Sequence, residues 1–167
     1  MRFLICQKCL KGGLLCESCA KVVGEAGIKE SEIKMMRKLG KVLKKYEFLK
    51  DVEIKRTVDS ENMVIIVTDS DGASLLIGKD GGMAKKLAQD IGKHVRVVPY
   101  SSSTEEFIRN LFHNTHILGV NIVYSDGGKS YKIKVPRNEA ASLPIEPEEF
   151  SRMTSSILNE KIELVFV

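Results

Sequence analysis

Two glycines three positions apart, Gly78 and Gly81, interrupt a stretch whose apolar spacing is otherwise helical. Upstream, Asp69-Ser70-Asp71-Gly72 reads as a turn and Ala73 to Ile77 as a short helix that Gly78 breaks. Downstream, Met83, Leu87 and Ile91 recur at four-residue steps along a second helix, which Gly92 ends. Strands flank the pair. Met63-Val64-Ile65-Ile66-Val67-Thr68 is apolar and rich in β-branched residues, as a central strand requires. Val95-Arg96-Val97-Val98 forms another strand, stopped by Pro99. The chain must therefore run strand, helix, tight loop, helix, strand.

Two further elements precede this unit. Residues from about Ser31 to Tyr46 read as a helix, with Ile33, Met36, Leu39, Leu43 and Tyr46 on one face. Glu32 near its start and Lys44-Lys45 near its end suit the helix dipole. Val52, Ile54 and Val58 fall at even spacings, a strand pattern, before the turn residues Asp59-Ser60-Glu61-Asn62. The order is α-β-β-α-α-β.

Residues 101–167 repeat it. Ser103-Thr104-Glu105-Glu106 has the form of a capping box, and Phe107, Ile108, Leu111 and Phe112 make an apolar face. Ile117 to Tyr124 reads as a strand and Ser125-Asp126-Gly127-Gly128 as a turn, after which Tyr131, Ile133 and Val135 alternate with Lys132 and Lys134. Two helical segments and a closing strand, Ile162 to Val167, complete the copy. A shift of about 66 positions sets Ile77 on Leu143, Leu87 on Met153 and Ile91 on Ile157, and Gly78-Lys79-Asp80-Gly81 on Pro144-Ile145-Glu146-Pro147. On this reading the second copy keeps the fold and loses the loop. Glu148 and Glu149 then place negative charge where a phosphate would dock, and they also favour a helix start.

All four cysteines stand at the beginning, as Cys6-x2-Cys9 and Cys16-x2-Cys19. Each pair turns two thiolates toward one point, and together they complete a tetrahedral S4 shell suited to one structural Zn2+. Gly12-Gly13 lets the chain reverse between the pairs, and Lys8 and Lys11 offset thiolate charge. Disulfides would suit a secreted chain, and a redox motif needs only one pair. The expectation is a small knuckle-like hairpin folded by its ion, because so short a segment buries no core of its own.

Charge is uneven. Residues 1–100 hold 19 Lys+Arg against 13 Asp+Glu, a net of +6, whereas residues 101–167 hold 7 against 9, a net of −2. A polyanion is drawn to the first part and mildly repelled by the second. No apolar run approaches the roughly 18 residues needed to cross a bilayer, and Met1 to Cys6 is too short for a secretory core. A cytoplasmic protein without a membrane partner is expected.

Leu76-Ile77-Gly78-Lys79-Asp80-Gly81-Gly82, followed by an amphipathic helix and set in this element order, resembles the KH domain of the type found in bacterial and archaeal proteins, type II. That resemblance implies an α+β fold of two tandem KH domains, each α-β-β-α-α-β with a three-stranded sheet. Residues 1–27 form the four-cysteine zinc module, 28–100 the first domain with the intact loop, and 101–167 a second, degenerate domain. In KH domains the Gly-x-x-Gly loop clamps the backbone of about four nucleotides of single-stranded RNA. The residues it assigns to RNA are Ile77, Gly78, Lys79, Asp80, Gly81 and Gly82, with Lys85 and Lys86 one turn into the next helix. The chemistry agrees: glycines let phosphates approach the main chain, and the helix start offers free N–H groups. Asp80 either faces the phosphate, partly cancelling Lys79, or turns outward as the N-cap of the second helix.

The whole arrangement resembles the archaeal NusA-like transcription factors, in the form with an N-terminal four-cysteine module. It implies RNA binding in transcription elongation or termination, with RNA polymerase or ribosomal components as protein partners, no small-molecule substrate and no catalysis. An adaptor of the transcription or translation machinery that binds RNA weakly or not at all is the alternative. No Gly-Lys-Ser/Thr follows at phosphate-loop spacing, and a dinucleotide loop would open from a strand. His94, His113 and His116 pair with no nucleophile or acid at a recognisable spacing.

Overall fold

The computed structural model describes all 167 residues, Met1–Val167, which divide into two compact units, Met1–Tyr100 and Ser101–Val167. The first begins with two short helices, α1 (Gln7–Lys11) and α2 (Glu17–Glu25), and the long α3 (Glu30–Leu43). β1 (Ile54–Asp59), β2 (Met63–Thr68), α4 (Ser70–Ile77), α5 (Gly82–Ile91) and β3 (His94–Pro99) follow. The sheet has the order β1-β2-β3, antiparallel between β1 and β2 and parallel between β2 and β3.

Parallel neighbours cannot be joined by a turn, so α4 and α5 form the crossover. β2 is buried at all six positions, which accounts for its unbroken apolar run. Ile54, Val64, Ile66 and Val97 pack against Leu39 and Leu43 of α3, Leu76 of α4, and Leu87 and Ile91 of α5. Lys93 ties the strand ends together, its Nζ 2.6 Å from both Asp59 Oδ1 and the Ser60 carbonyl.

α4 corrects one expectation. Asp69 to Gly72 forms the start of the helix and no separate turn: Asp69 is the N-cap and accepts from the Gly72 N–H at 2.8 Å. The glycine is required there. A Cβ at Gly72 would lie 2.3 Å from Thr68 Oγ1 and 2.5 Å from Asp69 Oδ1. A second surprise is Glu32, which lies on the inner side of α3, 2% exposed, with Arg56 of β1 at 3.7 Å. Burial pushes its carboxyl upward and Arg56 partly offsets the shift.

The second unit runs α6 (Thr104–Leu111), β4 (Gly119–Ser125), β5 (Gly128–Val135), α7 (Pro147–Leu158) and β6 (Lys161–Phe166). Between β5 and α7 the first of the expected helices is a 3-10 turn, Arg137–Ser142. Ser103 caps α6 by accepting from the Glu106 N–H, while the Glu106 carboxylate takes the Ser101 hydroxyl at 2.6 Å. The sheet order is β4-β5-β6, again antiparallel then parallel. Tyr131, Ile133 and Val135 are buried while Lys132 and Lys134 are exposed, the alternation of a sheet with one covered face. Phe112 and Phe150 meet edge to face at 4.9 Å. No helix of the chain is long and apolar enough to cross a membrane.

Strand pairing shifts the internal comparison by one residue. Met63 pairs with His94 and Ser130 with Lys161, an identical separation of 31 positions. The two long helices end on left-handed residues, Gly92 and Asn159. Both landmarks give an offset of 67, which places buried Met83 on buried Phe150 and Leu87 on Thr154, instead of Leu87 on Met153. Gly78-Lys79-Asp80-Gly81 then corresponds to Ile145-Glu146-Pro147-Glu148. The glycine loop has been absorbed: α7 has 12 residues against 10 in α5, and its first turn occupies the Asp80 and Gly81 positions.

Replacing Gly72→Ala is expected to cost about 2 kcal/mol, the sum of a disturbed cap and an overpacked contact. Urea denaturation followed by circular dichroism reads this as a lowered midpoint at unchanged slope.

Candidate metal centre and glycine loop

The cysteine segment is helical and forms no hairpin. Cys6 and Cys16 are the N-caps of α1 and α2, and Cys9 and Cys19 sit on the first turns that follow. Both pairs thus share one construction, and each supports the other. The Cys6 N–H donates to Cys19 Sγ and the Cys16 N–H to Cys9 Sγ, both at 3.2 Å. The four sulfurs all lie within 4.8 Å of one another. A tetrahedral S4 site with bonds of about 2.3 Å needs sulfurs roughly 3.8 Å apart, so this cluster fits a metal ion with little adjustment.

The thiols divide by environment. Hydrogen bonds from the Cys9 main chain and side chain hold Cys6 down to about 7, and the Cys19 main chain lowers Cys16. Cys9 accepts the Cys16 N–H, which favours its thiolate, but burial and the Cys6 and Cys16 sulfurs drive it up. Cys19 likewise accepts the Cys6 N–H, yet burial and its neighbouring sulfurs raise it to about 12. Four thiolates crowd one another unless a cation stands among them.

The segment also has an apolar core, contrary to the expectation that the ion alone would fold it. Ile5, Cys9, Leu10, Cys19, Val23 and Ile28 are buried together with Ile33 and Met36 of α3. Gly40 admits Leu10, whose side-chain carbons lie 3.0 to 3.4 Å from where a Cβ would stand. Arg37 locks the contact, Nε donating to the Cys9 carbonyl at 3.0 Å and Nη2 to the Gly13 carbonyl at 2.6 Å. Nothing in the lysine-rich helix pattern singles out Arg37. The chain start pairs with β1: the Arg2 N–H donates to the Val52 carbonyl at 2.9 Å and the Ile54 N–H to the Arg2 carbonyl at 2.7 Å. Lys8 and Lys11 are exposed.

The glycine loop joins α4 to α5 through a single 3-10 turn, Lys79–Gly81. Its two glycines have different duties. Gly78 has φ +71°, and a Cβ there would come within 2.7 Å of Met83 Cβ and 3.0 Å of Met83 N, so it lets the helices close up. Gly81, also at φ +71°, has nothing within 4 Å of its virtual Cβ. Its glycine is called for by the left-handed backbone and leaves the main chain open to solvent.

Asp80 is not the N-cap of α5. That position belongs to Gly81, which contributes no side-chain acceptor. Asp80 is exposed in the left-handed region, φ 53°, one of the few side chains that tolerate it. Lys79, Lys85 and Lys86 are exposed, whereas Ile77, Gly78, Gly81 and Gly82 are partly buried. The loop therefore presents bare main chain, a helix start with no side-chain cap, three lysines and one carboxylate. Such a surface suits an anion approaching along the α5 axis. The second unit has no counterpart: Glu146 is the N-cap of α7, with Pro147 in its first turn. His94, His113 and His116 are exposed.

Comparison with known proteins adds fold information alone. No protein-family model and no curated protein matches the chain. Among solved structures 73 chains match. One of them, "Crystal structure of APE1850", has a TM-score of 0.57 at 23% identity, over 84% of this chain and 100% of that one.

Because burial and neighbouring sulfurs hold Cys9 and Cys19 up, metal uptake by the metal-free chain is expected to release protons at neutral pH, and affinity to fall more steeply below about 7, where Cys6 protonates as well. Competition with a chelator at a series of pH values measures it. Arg37→Ala is expected to cost about 1 to 2 kcal/mol, leaving the partly buried Cys9 carbonyl without its charged donor and freeing the exposed Gly13 carbonyl to water, while the ion is retained. Denaturation with parallel metal analysis separates the two effects.

Proposed function

We propose that the chain is a non-catalytic RNA-binding protein of the NusA-like kind, built on two type II KH domains and a structural zinc module. Single-stranded RNA is gripped at the first domain. The observation that carries this reading is the Gly78–Gly82 loop: open space above Gly81, no side-chain cap on α5, and Lys79, Lys85 and Lys86 exposed around it. Phosphates can reach main-chain N–H groups there without meeting a Cβ. The element order α3-β1-β2-α4-α5-β3 supports the KH assignment. A place in transcription elongation or termination follows from the resemblance.

In the same reading the four cysteines hold Zn2+, which accepts an all-sulfur tetrahedron and leaves no open coordination position for catalysis. The ion stabilises a segment whose core is shared with α3, so the module is a buttress of the first domain.

Titration of single-stranded RNA oligomers at several salt concentrations tests the groove. The parent is expected to show a negative slope of log affinity against log salt, reporting a few phosphates. Gly78→Asp is a poor probe, because its side chain would strike Met83. Lys79→Asp is exposed and is expected to weaken binding about tenfold and to flatten the slope by about one. Asp80→Asn keeps a left-handed-tolerant residue, removes the carboxylate, and is expected to tighten binding several-fold. Equal affinity of the parent and Lys79→Asp would remove the loop from the binding site. One equivalent of zinc by elemental analysis, with no thiol free to titrate, checks the module.

A further inference from the structure

We propose that the second unit carries a docking groove for an extended, lysine- and arginine-rich protein segment, laid along the free edge of β6. The groove lies between that edge and the first turn of α7 and encloses about 800 Å³. Glu146, Glu148 and Ser151 line one side, and Glu163, Leu164 and Phe166 the other. β6 has β5 on one flank and no strand on the other.

The edge is half spoken for. Ile162 donates its main-chain N–H to Ser155 Oγ at 3.0 Å, and its carbonyl accepts from Ser151 Oγ. The Val167 N–H donates inward, to Val135 of β5. Main-chain groups two residues apart point the same way, so Leu164 and Phe166 turn theirs outward, as Ile162 does. Helix α7 uses up the edge at Ile162, and beyond it the outward groups border the groove. An added strand is the partner that such an edge accepts, with main-chain bonds giving affinity and alternate side chains giving selectivity.

Charge decides what that strand carries. Glu146 and Glu148 are exposed at the rim. Glu163 is already engaged, with Lys161 at 2.6 Å and Lys132 at 3.9 Å, so the unspent negative charge belongs to the α7 side. The unit as a whole has 7 basic and 9 acidic residues. At the 67-residue offset the pair Lys79 and Arg96 of the first unit is replaced by Glu146 and Glu163, a reversal of sign at both positions. A nucleic acid backbone is repelled, whereas a segment alternating Lys or Arg with apolar residues meets carboxylates above and Leu164 and Phe166 below. This inference stands apart from the reading of the Gly78 loop.

The test uses the full chain, isotopically labelled, and a short fluorescent peptide alternating Lys and Val. Saturable binding is expected, with the largest amide shifts at Leu164 and Phe166. The double variant Glu146→Lys, Glu148→Lys is expected to bind at least about tenfold more weakly, as two rim charges imply. Lys79→Asp should bind the peptide like the parent. A peptide N-methylated at alternate residues, which cannot pair with an edge, should not bind, and this control asks nothing of the protein's folding. The proposal falls if the parent does not bind, if the N-methylated peptide binds equally, or if the double variant keeps the parent's affinity. It also falls if single-stranded RNA displaces the peptide while shifting the same amides.

Discussion

The parallel pairing of β2 with β3, repeated by β5 with β6, is the constraint on which the rest depends. Parallel neighbours need a long crossover, and the chain spends the same 31 residues on each. In that span it must leave the sheet, cover one face and return to the starting end. In the first unit two helices do so, and the sharp reversal between them demands the left-handed backbone of Gly78, Asp80 and Gly81. The candidate phosphate site is thus a product of topology: a corner the chain had to turn, furnished with residues that leave it bare.

The cysteine cluster works at a different level. Its two pairs brace one another through reciprocal N–H to sulfur bonds, and the braced segment lies on α3 through Leu10, Met36 and Arg37. Because α3 also packs over the first sheet, order at the sulfurs and order in the first core share one helix. The candidate metal site and the hydrophobic core meet there, with Arg37 at the join.

Much of this was legible in the residues. The apolar steps of Met83, Leu87 and Ile91, the alternation of Tyr131, Ile133 and Val135, and the convergence of four cysteines each follow from one periodicity or one spacing. What could not be read depends on partners distant in the chain. α1 has five residues, too few for a 3.6-residue repeat to register. Glu32 looks like a favourable charge at a helix start until Arg56 and burial are known. Leu87 has an apolar counterpart in Met153 and a polar one in Thr154, both of them buried, so residue type alone favours the wrong offset. Only the strand register and the left-handed caps at Gly92 and Asn159 correct it.

That equal crossover length has a consequence for how such a chain can be altered. α7 is two residues longer than α5 where the first unit has its loop, so the two versions are alternative ways of spending a fixed number of residues. Loop and helix-start are therefore equal in length. Ile145-Glu146-Pro147-Glu148 and Gly78-Lys79-Asp80-Gly81 thus differ in sequence and conformation while the strands on either side keep the same separation. A unit of this design accommodates either corner, bare loop or helix start, within the same 31-residue crossover.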